Sequence, residues 1–206
     1  MSKLQCDGVR YCLLREDILS QDANFNEYKM KKYLNAELAN TLGNLLNRVT
    51  STIVNPEHIF PSYFSSYGVP ESAIELIEQC QTLAFRVTEF YDIYEFYHGI
   101  IAIMDVLRLC NVYVQHEQPW QLAKLTNEKD QQRLKTLIYV TLECLRISGI
   151  LLQPIVPSIS KQLLDILSID PNMRRLDQCS FRLESKETKL TLKRTDRISL
   201  YQRVPI

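Results

Sequence analysis

The stretch Leu34-Asn35-Ala36-Glu37-Leu38-Ala39-Asn40-Thr41-Leu42-Gly43-Asn44-Leu45-Leu46-Asn47-Arg48 has the spacing of an amphipathic helix, which we expect to continue to about Ile53. At 100° per residue, its apolar residues fall within a stripe about 100° wide, which predicts a face packed on a core. A second sector gathers three amides and an arginine. The stripe contains Leu34, Leu38, Leu42, Leu45, Val49 and Ile53, and the second sector contains Asn40, Asn44, Asn47 and Arg48.

The polar sector has two interpretations. Asparagine offers a carbonyl and an NH₂ group, and arginine offers a planar fork of donors, so together they can read the edge of an unpaired base. Alternatively, the sector is an ordinary solvated helix face. The residues themselves leave both interpretations open.

Composition predicts an all-α fold, a helical bundle. The chain has 206 residues, 46% hydrophobic and 23% charged, which is typical of a globular domain. It has only five glycines and eight prolines, and long stretches lack both, which favours helices over a turn-rich β architecture. The formal net charge is zero, so an RNA ligand would need a local site rather than a global positive field.

Cysteine and histidine spacing predicts no metal site. The six cysteines are scattered without a C-x-x-C pair, which also argues against a disulfide framework and favours a reducing compartment. The apolar run 147–156 is interrupted and far shorter than the ~20 residues that cross a bilayer, so we expect no membrane segment. The N-terminus has the character of neither a signal peptide nor a mitochondrial presequence, so we expect any targeting segment upstream on a longer form.

Stop signals divide the chain into successive helices with short links, which predicts a bundle of antiparallel neighbours. Asn127 is expected to cap one of them. We expect three regions: a strand or helix remnant over 1–20, a helical domain over 21–168, and an irregular C-terminal tail over 169–206 packed on the bundle. In that tail, alternation around Leu190 predicts a short extended segment. Further helices are predicted over 72–91, from about 94 to 118, and over 131–152 and 158–167.

Apolar and aromatic spacing predicts which side chains of these helices pack in the core. The core stripe of the helix that starts near residue 94 is expected to contain Ile100, Ile103, Met104, Leu107, Val112 and Val114. Aromatic residues at helical spacing are expected in the core and at helix joints, namely Phe85, Phe90, Tyr91, Tyr94, Phe96 and Tyr97. Pro61 and Pro70 bracket an aromatic loop that contains Phe60, Tyr63, Phe64 and Tyr67.

Four segments of the sequence form an ordered set of motifs. They are Asp7-Gly8-Val9-Arg10-Tyr11-Cys12-Leu13-Leu14-Arg15-Glu16, Gln21-Asp22-Ala23-Asn24-Phe25, residues 38–48, and Asn111-Val112-Tyr113-Val114 with Gln118-Pro119-Trp120. Together they resemble the C-terminal, anticodon-binding portion of methionyl-tRNA synthetases of the bacterial and mitochondrial type. The first is similar to the family's D-A-L-R-Y-F-L-L-R-E, and the third carries its L-A-N-x-L-G-N-L-x-x-R string. Their order and spacing match the family over most of residues 7–167.

The resemblance implies an anticodon-binding site. In the family, the tryptophan of the Pro-Trp pair stacks on the anticodon, and the Asn and Arg of N-L-x-x-R contact its first base. The matching residues are Asn44, Arg48 and Trp120. They imply specificity for CAU, the methionine anticodon, with Asn40 and Asn47 as secondary candidates. Without the resemblance, Trp120 reads as a core or helix-end residue.

The catalytic elements of the family are missing from this sequence. No βαβ series precedes the bundle, the H-I-G-H motif is absent, and Met1-Ser2-Lys3 resembles only part of K-M-S-K-S at the wrong spacing. We therefore expect the chain alone to be inactive, with no catalytic residue and no cofactor. ATP and Mg²⁺ are implied for the full-length ligase.

Two functions stay open. In one, the chain is the recognition part of a methionine–tRNA ligase of the mitochondrial matrix, with the cytoplasm as the alternative location. Its partners are then the anticodon stem-loop of tRNA(Met) and the missing catalytic domain, without a membrane, in a monomer. In the other, it is a free-standing, non-catalytic helical module that binds tRNA or protein.

Two basic groups are candidate phosphate contacts, although a solvated surface explains each equally well. The first lies at the start of the amphipathic helix and the second in the C-terminal tail. They are Lys29, Lys31 and Lys32, and Lys186, Lys189, Lys193, Arg194 and Arg197.

Overall fold

The computed structural model describes residues 6–16, 26–62, 69–182, 190–193 and 199–205. Helices dominate them, and the predicted all-α class is confirmed. A π-helical segment, Leu34–Gly43, joins α2 to α3 without a break, and strands β1 (Ile59–Phe60) and β2 (Leu190–Thr191) pair antiparallel. The helices are α1 (Cys6–Glu16), α2 (Glu27–Tyr33), α3 (Asn44–Thr50), α4 (Glu71–Asp92), α5 (Phe96–Glu117), α6 (Pro119–Leu122), α7 (Glu128–Leu151) and α8 (Pro157–Ile166), and 3₁₀ turns cover Pro171–Met173 and Leu176–Gln178.

The core lies around α7, which is buried at every residue from Thr136 to Leu151. Helices α4 and α5 form an antiparallel pair against it, and α3 covers another side. The apolar stripe predicted on the opening stretch is buried from Leu34 to Val49. Burial of these aliphatic side chains, worth roughly 1.5–3 kcal/mol each, drives the assembly of the bundle.

The predicted helices agree with the observed ones to within a few residues. The helix expected over 72–91 is α4, and the one expected to end before Pro119 is α5. Asn127 caps α7 as predicted, because its Oδ1 accepts a hydrogen bond from the Asp130 amide at 3.0 Å.

Three sequence expectations are wrong in detail. Helix α3 ends at Thr50 because Ser51 is extended, so Ile53 lies outside the stripe and is 68% exposed. Val112, expected in the core stripe of α5, is 64% exposed on the solvent side of that helix. Phe85, expected among core aromatics, is 67% exposed on α4.

Polar side chains of helix α1 bind the start of α8 and the residues just before it. Asp7 Oδ2 accepts a hydrogen bond from the Ile159 amide at 2.8 Å and so caps α8, because the N-cap residue Val156 makes no side-chain hydrogen bond to this helix. Arg10 donates to the carbonyls of Pro154 and Ile155 at 2.7 and 3.2 Å. The D-x-x-R part of the first motif is therefore structural.

A buried carboxylate, Glu37, links α1, the π-helical segment and α5. It accepts hydrogen bonds from Tyr11 at 2.6 Å, from Arg15 at 3.1 and 3.2 Å, and from Arg108 at 2.6 Å. Burial, with the adjacent Glu37 charge, raises the pKa of Tyr11 well above its usual value, so its hydroxyl remains a donor. The charge of Glu37 is fully compensated inside the bundle.

Segments of the C-terminal tail pack on the bundle through side chains of α7 and through strand β1. Arg146 on α7 pairs with Glu143 at 2.8 Å and donates to the carbonyls of Gln178 and Ser180. The extended segment expected near Leu190 is confirmed as β2, with Thr191 opposite Ile59. The boundaries of the three predicted regions remain a prediction.

Helix α5 explains why one stretch is apolar enough to resemble a membrane span. An 18-residue window within Phe96–Leu122 reaches a mean hydropathy of 1.2, and 56% of that window is buried in the bundle. Its apolar side chains therefore contribute to the core of the bundle.

Two free cysteines meet in this core. The sulfur atoms of Cys80 and Cys144 lie 3.1 Å apart, and both residues are free thiols.

Candidate nucleic-acid interface

Helix α3 presents the polar sector predicted from the sequence. Leu45, Leu46 and Val49 are buried and anchor the helix, whereas Asn44 and Asn47 are exposed. Asn44 and Arg48 are four residues apart and therefore lie one turn apart on the same side. Across the ranges that the structure describes, no group hydrogen-bonds the Asn44 side chain, so its carbonyl and NH₂ groups face solvent.

Arg48 is held between Gln115, near the end of α5, and Trp120, in α6. Its guanidinium lies over the Trp120 ring with Cζ 5.2 Å from the centroid, and its Nη2 donates to Gln115 Oε1 at 2.5 Å. A cation–π contact of this kind stabilises by roughly 0.5–1 kcal/mol at an exposed site. The structure thus brings together Arg48 and Trp120, which the sequence placed far apart.

A sharp turn presents Trp120 just beyond a helix end, as predicted. Gln118 is left-handed, with φ 49° and ψ 61°, and its amide bonds to the Val114 carbonyl at 3.2 Å. Pro119 then opens the short helix α6, in which Pro119 and Leu122 are buried. Since its neighbours are anchored, the half-buried indole has a fixed direction.

Glu117, the residue that precedes this turn, is held in place by three neighbouring side chains. The carboxylate is buried and accepts hydrogen bonds from Ser72 at 2.8 Å and Arg133 at 2.6 Å, and His116 Nδ1 lies 3.2 Å away. Burial opposes ionisation, but the hydrogen bonds from Arg133 and Ser72 outweigh it and lower the pKa of Glu117. The turn that carries Trp120 is thereby fixed to α4 and α7.

Two family models match this chain. The model of the anticodon-binding domain of tRNA ligases matches residues 74–198, and the model of class I (M) tRNA synthetases matches residues 1–50. The chain belongs to the methionyl-tRNA synthetase family. This confirms the resemblance found in the sequence.

Individual relatives support this family assignment. The mitochondrial methionine–tRNA ligase of Takifugu rubripes is 37% identical over 190 residues, which are 88% of this chain and 32% of that protein. The human mitochondrial enzyme is 33% identical over 193 residues, with the same coverage. The free-state Mycobacterium tuberculosis methionyl-tRNA synthetase superposes with a TM-score of 0.87 at 31% identity, covering 97% of this chain and 39% of that one. The chain spans about a third of the length of its curated relatives.

The two secondary candidates of this methionyl-tRNA synthetase chain have different surroundings. Asn40 Oδ1 accepts hydrogen bonds from Arg203 at 3.1 and 2.6 Å, so the C-terminal segment already occupies its carbonyl. Next to it, the Asn35 amide pairs with the backbone of Val204 at 2.8 Å in both directions. Asn47 is exposed beside Arg48. Arg203 therefore adds a cation at the α2 end of the polar sector.

The basic group on α2 is partly neutralised. Lys29 pairs with Glu16 at 2.7 Å and Lys31 with Glu27 at 2.9 Å, and Lys32 lies over the Tyr28 ring. Their contact with phosphate remains a prediction. Lys193 of the second basic group lies within the residues that the structure describes, and its side chain is exposed.

Other parts of the sequence predictions fall outside the described residues. These are the Met1-Ser2-Lys3 opening, the Gln21–Phe25 motif, the aromatics Tyr63, Phe64 and Tyr67, and the basic residues Lys186, Lys189, Arg194 and Arg197. Within the described ranges, no group of three His, Cys, Asp or Glu residues is arranged to hold a metal ion.

Two residues of α5 that contact the segment carrying the site, Gln115 and Asn111, were not predicted from the sequence. Asn111 stood inside a quoted motif, and Gln115 between that motif and Trp120, but neither had a role assigned. The available signal was two amides one turn apart on a helix that is otherwise largely apolar. Their partners on the π-helical segment and α3 are distant in sequence, so the pattern alone did not reveal them.

Proposed function

We propose that this chain recognises the CAU anticodon loop of tRNA(Met) through Asn44, Arg48 and Trp120, with Asn40 and Asn47 in supporting contacts. The observation that carries the proposal is the contact of Arg48 with the Trp120 ring, one helical turn from the free amide of Asn44. The site combines a flat ring, a fork of donors that lies over this ring and, one helical turn away, an unoccupied carbonyl. This set matches the chemistry of an unstacked base.

The first anticodon base, cytosine, fits these groups. Its O2 and N3 atoms accept hydrogen bonds, which Arg48 supplies, and its amino group donates one, which the Asn44 carbonyl accepts. A base stacked on the Trp120 indole gains roughly 1–3 kcal/mol and lies within reach of Arg48. A wrong base leaves these groups unpaired, which costs about 1–3 kcal/mol and provides discrimination.

We propose that a full-length ligase containing this chain charges tRNA(Met) with methionine, using ATP and Mg²⁺. The chain supplies anticodon recognition, and a catalytic domain supplies the chemistry. Mitochondrial ligases among the relatives support a role in mitochondrial translation, while similar bacterial relatives keep the cytoplasm as the alternative location. We propose that the ligase is a monomer.

Binding of an anticodon stem-loop tests the proposal. Fluorescence anisotropy would compare the CAU loop with a loop changed at the first base, for the wild-type chain and Trp120→Ala. We expect a preference for CAU that Trp120→Ala reduces by about tenfold or more. Phe85→Ala, which removes another exposed aromatic ring on α4, is the matched control and should leave the preference intact. Equal binding of both loops by the wild type would contradict the proposal and favour a free-standing interaction module.

A further inference from the structure

The amide of Asn111 joins α5 to the end of the π-helical segment. Its Nδ2 donates to the Thr41 carbonyl at 3.1 Å and to the Leu107 carbonyl at 2.9 Å. The bond to Leu107, one turn earlier on α5, orients the asparagine along its own helix. The other bond ties down a carbonyl three residues before Asn44.

Gln115 lies one turn after Asn111 on the same side of α5 and holds Arg48 at 2.5 Å. Asn111 therefore contacts the π-helical segment at Thr41, before Asn44, and Gln115 contacts α3 at Arg48, after Asn44. Helix α5 braces the segment that carries Asn44 at two points.

The first brace lies close to a change of helical register. The π-helical segment ends at Gly43, and the Asn44 amide still bonds to the Ala39 carbonyl, five residues back. Thr41 Oγ1 also donates to the Ala36 carbonyl, five residues back, at 2.8 Å. Because i→i+5 bonding places more residues in each turn than i→i+4 bonding, a shift of this junction rotates every later side chain.

We propose that Asn111 is a positioning residue for anticodon recognition: by holding the Thr41 carbonyl, it fixes the π–α junction and hence the directions of Asn44 and Arg48. It acts through these residues and does not contact the base. The inference rests on the proposed function, because it assigns Asn111 to the same site.

The test uses Asn111→Leu, which is close to asparagine in size but removes both donated hydrogen bonds. Dissociation constants are measured for stem-loops bearing CAU and UAU. We expect the variant to bind CAU about tenfold more weakly and UAU almost unchanged, so the ratio falls toward one. Gln79→Leu, which also replaces an amide by leucine but on the exposed side of α4, should leave both constants as in the wild type.

A double-mutant cycle with Asn44→Ala separates positioning from general stability. If Asn111 acts through Asn44, Asn111→Leu lowers the CAU/UAU preference in the wild type but changes it no further in Asn44→Ala. Equal effects in both backgrounds, or an unchanged ratio in Asn111→Leu, would overturn the inference while leaving the proposed function standing. A wild-type chain without any CAU preference would overturn the proposed function itself. If Asn111→Leu lacks a cooperative thermal transition, Asn111→Ser replaces it in the same cycle.

Discussion

The guanidinium of Arg48 lies 5.2 Å from the centroid of the Trp120 ring, although the two residues belong to different helices and distant motifs. Gln115 holds the same guanidinium from α5. The side chain is thus oriented before any ligand arrives, which lowers the entropic cost of binding.

Arg48→Lys is expected to weaken binding of the CAU loop by about tenfold, because lysine keeps the charge but loses the planar fork and its stacking on Trp120. The slope of affinity against salt concentration should change little, since the number of cations is the same. Anisotropy titrations at several salt concentrations check both points. A lysine variant with wild-type affinity would show that only charge matters at this position.

Glu37→Gln is expected to destabilise the chain by about 3 kcal/mol, because it leaves the buried Arg15 charge without its carboxylate. Urea unfolding followed by circular dichroism measures the change. Glu78→Gln, the same substitution on the exposed side of α4, serves as the control and should stay within about 0.5 kcal/mol of wild type. Equal stabilities for the two variants would mean that the Glu37 cluster does not hold α1 to the bundle.

The pH dependence of stability should report on Glu117. Its pKa is lowered in the folded chain, by Arg133 and Ser72 against the effect of burial. Its stabilisation is therefore complete above its unfolded pKa of about 4.3 and is lost as the pH falls through the lower folded value. Thermal melting of the wild type and Glu117→Gln from pH 7 to pH 3 should show a difference that narrows below about pH 4. A difference that stays constant over this range would exclude ionised Glu117 as its source.

Local signals account for the parts of the fold that the sequence predicted well. The apolar period of α4 and the Asn127 cap of α7 depend on neighbours within a few residues. The π-helical segment gave no such signal, because it is supported by contacts from Asn111 and Arg203, which are remote in sequence.

Some residues of the candidate site could likewise be predicted from the sequence, and others could not. Asn44, Arg48 and Trp120 came from motifs that resemble a family, and the structure adds how α5 orients them. Gln115 holds Arg48 across two helices, a relationship that periodicity cannot contain. Residues that orient a site through long-range contacts can therefore be identified only from the fold, whereas residues within a motif can be identified from the sequence.

The most direct test of the account is the ratio of dissociation constants of the wild-type chain for stem-loops bearing CAU and UAU. The two first bases differ at position 4, where cytosine has an amino group and uracil a carbonyl, and at the protonation of N3, so the ratio reports on the Asn44 carbonyl and the Arg48 donors. We predict a preference for CAU of about tenfold or more, reduced to near one in Asn44→Ala. Equal affinities for the two loops in the wild type would contradict recognition of the first anticodon base at this site.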